Sequence, residues 1–528
     1  MREMIWSRSV LITHPFSRIK SSSGSYCGSS GILLSENWVL THGSTLNPVV
    51  GQINQIFDFL TSMDAGKLTL LPTQVVEETP FEILRECSAC SDATREQSSQ
   101  LYLVAAWKCD LLQLTLLDVL ATWTFDRSSR HSRDLMPILL IFEIKNHLKN
   151  ATATKEHQQQ EKTIRIHRVL TNLYKEIAEN DPVRGSIVEI EGTPFGNRIF
   201  FNSTSRGIIG NLIGTRKCIV MTDASAFPGC QGGPLYILRD SDNNRKILCG
   251  MVLSSVSWCE NEWVDYTLAV NLTSSLREIL LKEDFSITAV ARETQLLQIA
   301  SYTDQFDESV AIVRCGRHWG TGIFLDKATG SFLTCSHVVK EASLENMDVR
   351  VVLRRGECRS DAWAKLVYKT PEGRPYDVAL LRVQPQDLAP SLRPIKLADN
   401  PPFKGEAVLS VGFPLISSTN ATLTSGNVSK SLAAMLQTTC CVQSGASGSP
   451  IIRPTTGQML GMIISNAISA NSILYPRLSM AIPTTVLKPI LQRYWNTGDP
   501  RVLEAFDCHD SAIQDVWDLR ERLPPSKI

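Results

Sequence analysis

The chain lacks any apolar run long enough to cross a bilayer. Its longest, Leu135-Met136-Pro137-Ile138-Leu139-Leu140-Ile141-Phe142, falls far short of the roughly 20 residues a spanning helix needs, so no membrane span is expected. An excess of charge of either sign is also missing: 53 basic residues balance 53 acidic ones. No global field therefore argues for a nucleic-acid partner or an anionic surface. Near the N-terminus, Arg2, Arg8, Arg18 and Lys20 surround only a weak apolar patch, without the sustained apolar core of a secretory leader. Secretion is not expected, and the 14 cysteines are read as reduced thiols. Several of them, such as Cys335, Cys440 and Cys441, sit where a free thiol packs as a small hydrophobe. Cys87 and Cys90 form one C-x-x-C that nothing nearby answers. A structural zinc site needs that spacing twice, so neither a metal nor a cofactor is expected.

What the chain does have is length and an internal repeat. Its 528 residues are too many for one core and suggest two to four domains. Residues 300–495 lie over residues 20–282 as matched segments in one order, the mark of duplication. Gly320-Thr321-Gly322-Ile323-Phe324-Leu325 answers Ser29-Ser30-Gly31-Ile32-Leu33-Leu34, and Phe332 to His337 answers Trp38 to His42. Asp377-Val378-Ala379-Leu380-Leu381 is set against Asp110-Leu111-Leu112-Gln113-Leu114, and Gly412-Phe413-Pro414 against Gly192-Thr193-Pro194. Then come Gly445-Ala446-Ser447-Gly448-Ser449-Pro450 and Gly229-Cys230-Gln231-Gly232-Gly233-Pro234. Short β-rich runs punctuated by Gly, Pro, Asn and Ser predict a mainly β fold of antiparallel barrels.

Boundaries follow from the repeat. The expected domains are 1–285, a linker at 286–304, 305–497, and a C-terminal helix and tail over 498–528. Residues 77–100 and 145–180 read as insertions in the first half. The polar run from Lys149 to Gln160 reads as a linker or a solvated helix, having little apolar surface to bury.

The chemistry is concentrated in the second copy. Cleaving an amide needs a nucleophile, a base to take its proton, and donors for the developing oxyanion. His337, Asp377 and Ser447 supply the first two, in the His, Asp, Ser order of the chymotrypsin barrels. Ser447 is the candidate nucleophile, His337 the base and Asp377 its orienting partner. The N–H groups of Gly445 and Ser447 are the candidate oxyanion donors. Any one of these residues alone has a bland structural reading; together, in order and in their local contexts, they point to a peptidase. The first copy keeps His42 and Asp110 for two of these roles, but Gln231 replaces the nucleophile. Cys230 lies one residue out of register, which disfavours it as a thiol nucleophile.

Gln437-Thr438-Thr439, Ser444 through Pro450, Thr424-Ser425-Gly426 and Ala481-Ile482-Pro483 resemble the Deg/HtrA-type branch of the chymotrypsin-fold serine proteases over residues 305–495. The departures are Ser449 for a usual glycine, and a tail after the second repeat too short for a PDZ module. The resemblance implies two tandem chymotrypsin-like double β-barrel domains, the first degenerate. In such barrels the residue six before the nucleophile floors the pocket for the side chain preceding the cut. Here it is Cys441, which carries no carboxylate and suits a small residue such as Cys, Ala or Ser.

The last residues, Ser526-Lys527-Ile528, differ from a peroxisomal Ser-Lys-Leu address by one isomer exchange. With the duplicated architecture, they make the chain resemble the peroxisomal (glyoxysomal) leader-peptide-processing proteases. That resemblance implies a peroxisomal matrix enzyme that removes N-terminal leaders from precursor proteins, cutting after Cys. Its partners would be those precursors and, through Ser526 to Ile528, an import receptor; a homo-oligomer is left open. Cys90, in Glu86-Cys87-Ser88-Ala89-Cys90-Ser91, is the candidate self-cleavage position. Two rival readings stand beside this one: a non-catalytic peptide-binding or assembly module, and a general quality-control protease of cytosol or nucleus.

Overall fold

Alternating apolar positions along short strands build closed barrels, because an open two-sided sheet of this length would leave edges unpaired. In the computed structural model the described residues are 7–14, 28–52, 54–72, 81–86, 96–125, 131–144, 155–239, 245–259, 262–281, 302–343, 349–355, 358–415, 420–468 and 474–519. The chain divides into two compact units, Met1–Ile299 and Ala300–Ile528. The class is mainly β, as the sequence predicts, with two six-stranded barrels in each unit. No helix among the described residues is long and apolar enough to cross a membrane.

In the second unit, the first barrel runs Val310–Cys315, His318–Asp326, Ser331–Thr334, Ala379–Val383, Cys358–Lys369 and Val349–Arg355, every pairing antiparallel. Phe324 and Phe332 fill it with ring centroids 4.9 Å apart. The second barrel runs Ala407–Gly412, Thr422–Ser431, Leu436–Thr438, Leu474–Pro483, Met459–Ile468 and Pro450–Ile452. Val408, Leu436, Ile451, Leu460 and Ile463 form its core. Helix Thr484–Thr497 then buries Leu487, Leu491 and Tyr494 along one stripe and ends at Gly498, whose φ is 67°. Full burial of each such side chain contributes roughly 1.5–3 kcal/mol.

The first unit repeats this connectivity strand for strand. Its first ring runs Ser9–Thr13, Gly28–Ser35, Trp38–His42, Ile138–Ile144, Glu96–Lys108 and Phe81–Glu86, with Leu68–Leu70 added beside Glu96–Lys108. The second runs Ile187–Gly192, Ser203–Ile213, Ile219–Thr222, Thr267–Asn271, Arg245–Ser254 and Pro234–Arg239.

This corrects one expected insertion. Residues 81–86 and 96–108 are integral strands of the ring, in the places of Val349–Arg355 and Cys358–Lys369. The extra material lies instead between Lys108 and Ile138, where helix Asp110–Leu117 and strand Trp123–Phe125 sit. Of the two readings of the polar run, the solvated helix holds where the structure describes it, Gln159 and Gln160 being exposed. Helix Lys155–Ile177 starts inside it and buries Ile166, Leu170, Leu173, Tyr174 and Ile177, a stripe at helical spacing. The expected linker falls largely outside the described residues, as do Cys87, Cys90 and the tail from 520 onward.

Candidate active site

Two loops of the second unit bring the predicted residues together. Thr334 pairs with Ala379, so the turn after one strand and the residue before the other are neighbours. His337 opens the turn His337–Val339, and its N–H donates to Asp377 Oδ1 at 3.0 Å. Its Nδ1 faces Asp377 Oδ2 at 2.5 Å. A carboxylate only accepts, so Nδ1 carries a proton, and in the neutral ring Nε2 is the atom with the lone pair. The turn is pinned by Ser336 Oγ donating to Thr370 O at 2.8 Å.

Beneath it Cys335, fully buried, donates to Ile463 O at 3.3 Å. Burial, reinforced by the Asp377 charge, pushes this thiol well above its ordinary range. Donor atoms of Cys335, His337 and Asp377 lie within 4.8 Å of one another. A thiol binds metal as the thiolate, however, and His337 Nδ1 is held by Asp377. The group orients an imidazole rather than caging an ion.

The other loop is shaped by two glycines in the left-handed region, Gly445 at φ 93° and Gly448 at φ 89°. A Cβ on Gly445 would strike Phe413 O and Trp319 Nε1, and one on Gly448 would strike Thr321 O. Only glycine fits either position. Thr321 is the peg that holds the loop. Its N–H donates to Ser447 O at 2.8 Å, and its hydroxyl donates to Gly445 O at 3.0 Å while accepting from Phe413 N–H at 3.1 Å.

Gly448 N–H donates to Ile463 O at 2.8 Å, and Ser449 N–H to Ala446 O at 2.9 Å. The N–H groups of Gly445 and Ser447 have no partner among the described residues. Ser447 Oγ donates to Ile464 O at 3.1 Å and makes no hydrogen bond to His337. Ser449, the departure from a usual glycine, is accommodated because Gly412 stands opposite its hydroxyl. Cys441 is buried in the segment leading to Ser447.

The same loop recurs in the first unit, bond for bond. Ser30 N–H donates to Gln231 O at 3.0 Å, Gly232 N–H to Val252 O at 2.8 Å and Gly233 N–H to Cys230 O at 3.0 Å. Ser30 Oγ donates to Gly229 O at 2.8 Å and accepts from Thr193 N–H at 2.9 Å. Gly229 and Gly232 have φ of 97° and 83°. What differs is the occupant. Gln231 Oε1 accepts from Gly229 N–H at 2.7 Å, taking the donor that is open in the second unit, and its Nε2 donates to Ser255 Oγ at 3.0 Å.

Register also corrects the other two assignments in this copy. Leu40 pairs with Ile32 and Ile141 as Leu333 pairs with Ile323 and Leu380. His42 therefore corresponds to Cys335, Ser44 to His337 and Ile138 to Asp377. His42 is buried and bonds Met136 O at 2.7 Å. Asp110 instead opens helix Asp110–Leu117, its N–H donating to Glu278 Oε1 at 3.0 Å. Burial pushes the Cys230 thiol up to about 11, which disfavours the thiolate a nucleophile needs.

His42 and His14 give this unit an acid liability. Burial lowers each to about 4, opposed by a backbone bond, to Met136 for His42 and Thr45 for His14. A folded-state value below the unfolded 6.5 means the unfolded chain binds the extra proton first. Stability should be intact above pH 6.5 and fall toward pH 4, by about 3 kcal/mol for each histidine. Melting temperature against pH, compared with His42→Gln, checks this: the substitution should flatten the acid limb.

Residues 320–462 match the trypsin-like peptidase domain family. Peroxisomal leader peptide-processing proteases of Homo sapiens and Mus musculus are 33% and 30% identical to the chain over 370 and 372 residues, covering 65% and 66% of it and 62% of each relative. The periplasmic serine endoprotease DegP of Salmonella typhimurium is 31% identical over 190 residues, covering 34% of the chain and 36% of that protein. The chain thus spans less than two thirds of the length of the mammalian relatives it matches. With His337, Asp377 and Ser447 all inside the matched stretch, the second unit carries a trypsin-like peptidase domain.

Proposed function

We propose that the chain is a serine endopeptidase acting through Ser447, His337 and Asp377, and that it removes N-terminal leaders from peroxisomal proteins. The observation that carries the chemistry is the Asp377-held imidazole beside a serine loop with two open N–H donors. Ser447 Oγ turns from Ile464 O to Nε2 of His337, gives up its proton and attacks the scissile carbonyl. Gly445 and Ser447 N–H groups receive the oxyanion. His337 then protonates the leaving amine, and water hydrolyses the acyl ester by the same steps in reverse order of roles. Asp377 stabilises the imidazolium throughout.

The names of the mammalian relatives support the peroxisomal setting, and Ser526 to Ile528 would serve the import receptor. Cys441 would line the pocket for a small residue before the cut, with Cys90 the site of self-processing. The first unit, holding Ser44, Ile138 and Gln231 in the three catalytic places, would be a non-cutting partner domain. A matrix location and the domain limits 1–285 and 305–497 belong to the same reading.

Incubation of the full chain with leader-bearing peroxisomal precursors, followed by sequencing of new N-termini, tests the function. Intact precursors after prolonged incubation would reject it. Labelling of Ser447 by a fluorophosphonate separates an enzyme from a pure binding module. Loss of peroxisomal location on deleting Ser526 to Ile528 separates this reading from a quality-control protease elsewhere.

Thr321 supplies a further check. Thr321→Val keeps the shape but loses the hydroxyl bonds to Gly445 O and Phe413 N–H. Leaving such buried groups unpaired should cost about 1–3 kcal/mol. Because a loosened loop misplaces the oxyanion donors, peptide hydrolysis should drop by roughly tenfold to a hundredfold. Thermal melting and kcat/KM read the two effects separately.

A further inference from the structure

The loop that carries Asp377 is closed at its base, where Thr370 N–H donates to Val378 O at 2.9 Å and Val378 N–H donates to Thr370 Oγ1 at 3.0 Å. Its tip is open. Pro371, Glu372 and Gly373 are exposed, and a Cβ built on Gly373 would meet nothing within 4 Å. Yet Pro375 and Tyr376, between that tip and Asp377, are buried. A cover must come from outside the loop.

It comes from far along the chain. After helix Thr484–Thr497, the segment Pro500–Asp507 buries Leu503 and Phe506 and leads to helix Ser511–Trp517. Three side chains of this stretch meet the run from Tyr368 to Tyr376. Tyr368 OH donates to Asp507 Oδ1 at 2.5 Å, and Arg374 Nη1 donates to His509 Nδ1 at 2.8 Å. The Trp517 ring meets Tyr376 edge-on, with centroids 6.2 Å apart and planes at 83°. Burial pushes the Tyr376 phenol up to about 12, and Cys508 and Asp510 of the same segment add to the shift.

Trp517 has a second side. With Val516 it packs on Met435, Ala467 and Met480 at the second barrel. Ala467 lies on the strand Met459–Ile468, whose Ile464 O accepts from Ser447 Oγ. One indole therefore joins the neighbour of Asp377 to the strand that passes Ser447. The matched peptidase stretch ends at residue 462, before this segment begins.

We infer that Trp517 is a positioning residue for the reaction: by clamping Tyr376 to the second barrel, with Asp507 and His509 as further anchors, the C-terminal segment fixes Asp377 and the His337 imidazole relative to Ser447. This rests on the peptidase reading above. Because the contact acts through Tyr376, it sets the geometry of the His337–Asp377 pair. An interaction of that kind is felt in kcat and not in KM.

The test uses the full chain. Trp517→Ala should slow fluorophosphonate labelling of Ser447, and lower kcat on a leader-bearing peptide, by about tenfold to a hundredfold while KM stays within about twofold. Trp517→Phe keeps an aromatic edge against Tyr376 and should restore most of both. His509→Ala, at an exposed position, should give a smaller loss in the same direction. Proton NMR of the downfield His337 Nδ1–H reads the bond to Asp377 directly; its resonance should move or broaden in Trp517→Ala and return in Trp517→Phe. Leu487→Ala, which removes packing from helix Thr484–Thr497, is the control: its melting temperature should fall with labelling and resonance unchanged.

A cooperatively melting Trp517→Ala chain with unaltered labelling and resonance overturns the inference and leaves the peptidase reading standing. An equal loss of labelling in Leu487→Ala does the same. If Trp517→Ala does not fold, His509→Ala decides, and unaltered labelling and resonance in it overturn the inference. Absence of both labelling and cleavage in the unmodified chain overturns the two readings together.

Discussion

Ser447→Ala should lower peptide hydrolysis by ~10⁵–10⁶-fold while the chain stays folded. The size of the loss comes from the nature of the machinery. A triad acts as a unit, so removing its nucleophile costs about as much as removing all of it, and only the oxyanion donors and binding remain. The structural cost is small by comparison. The hydroxyl makes one hydrogen bond, to Ile464 O at 3.1 Å, so its loss should cost about 1 kcal/mol, a shift of roughly 2–4 °C in melting temperature. The backbone bonds that shape the loop do not pass through the side chain. Steady-state hydrolysis and a thermal melt on the same preparation check both halves. Residual activity within a hundredfold of the unmodified chain would place the chemistry elsewhere.

Asp377→Asn should cost ~10⁴-fold in kcat with KM little altered. The isosteric amide can still accept the His337 N–H that Oδ1 receives at 3.0 Å, so the turn keeps its place. The change is in what faces Nδ1. An amide N–H₂ turned toward the ring must find an acceptor there, which puts the imidazole proton on Nε2, where it can no longer take the Ser447 proton. The loss should therefore appear in kcat and in the rate of fluorophosphonate labelling together. A chain that keeps its labelling rate would show that Asp377 is merely structural.

Much of this was legible because chemistry forces residue types into order. His337, Asp377, Ser447, Gly445 and the barrel class all follow from short β runs, glycines where φ must be positive, and one His, Asp, Ser succession. The failures lie where residue type and backbone register disagree. His42 follows a strand as His337 does, yet the shared marker is the threonine before it. Thr41 Oγ donates to Ser30 O at 2.7 Å as Thr334 Oγ donates to Thr321 O at 2.8 Å. Matching on histidine shifts the comparison by two residues and carries the triad place onto a buried core position. Asp110 misled for a related reason: an acid before an apolar run opens a helix as readily as a strand. The strand Phe81–Glu86 was lost because Glu82, Arg85 and Glu86 read as insertion.

Gln231 has one more consequence. Its side-chain amide is chemically the group that a peptidase binds, a carbonyl on an amide carbon, and it rests 2.7 Å from the Gly229 N–H in a loop built like that of Gly445. The first unit thus holds a frozen image of a docked amide. Superposing the two loops marks, in the second unit, a point within hydrogen-bond reach of the Gly445 N–H where a carbonyl oxygen can sit. A peptide aldehyde or boronate built to place its oxygen there has its template within the protein's own sequence.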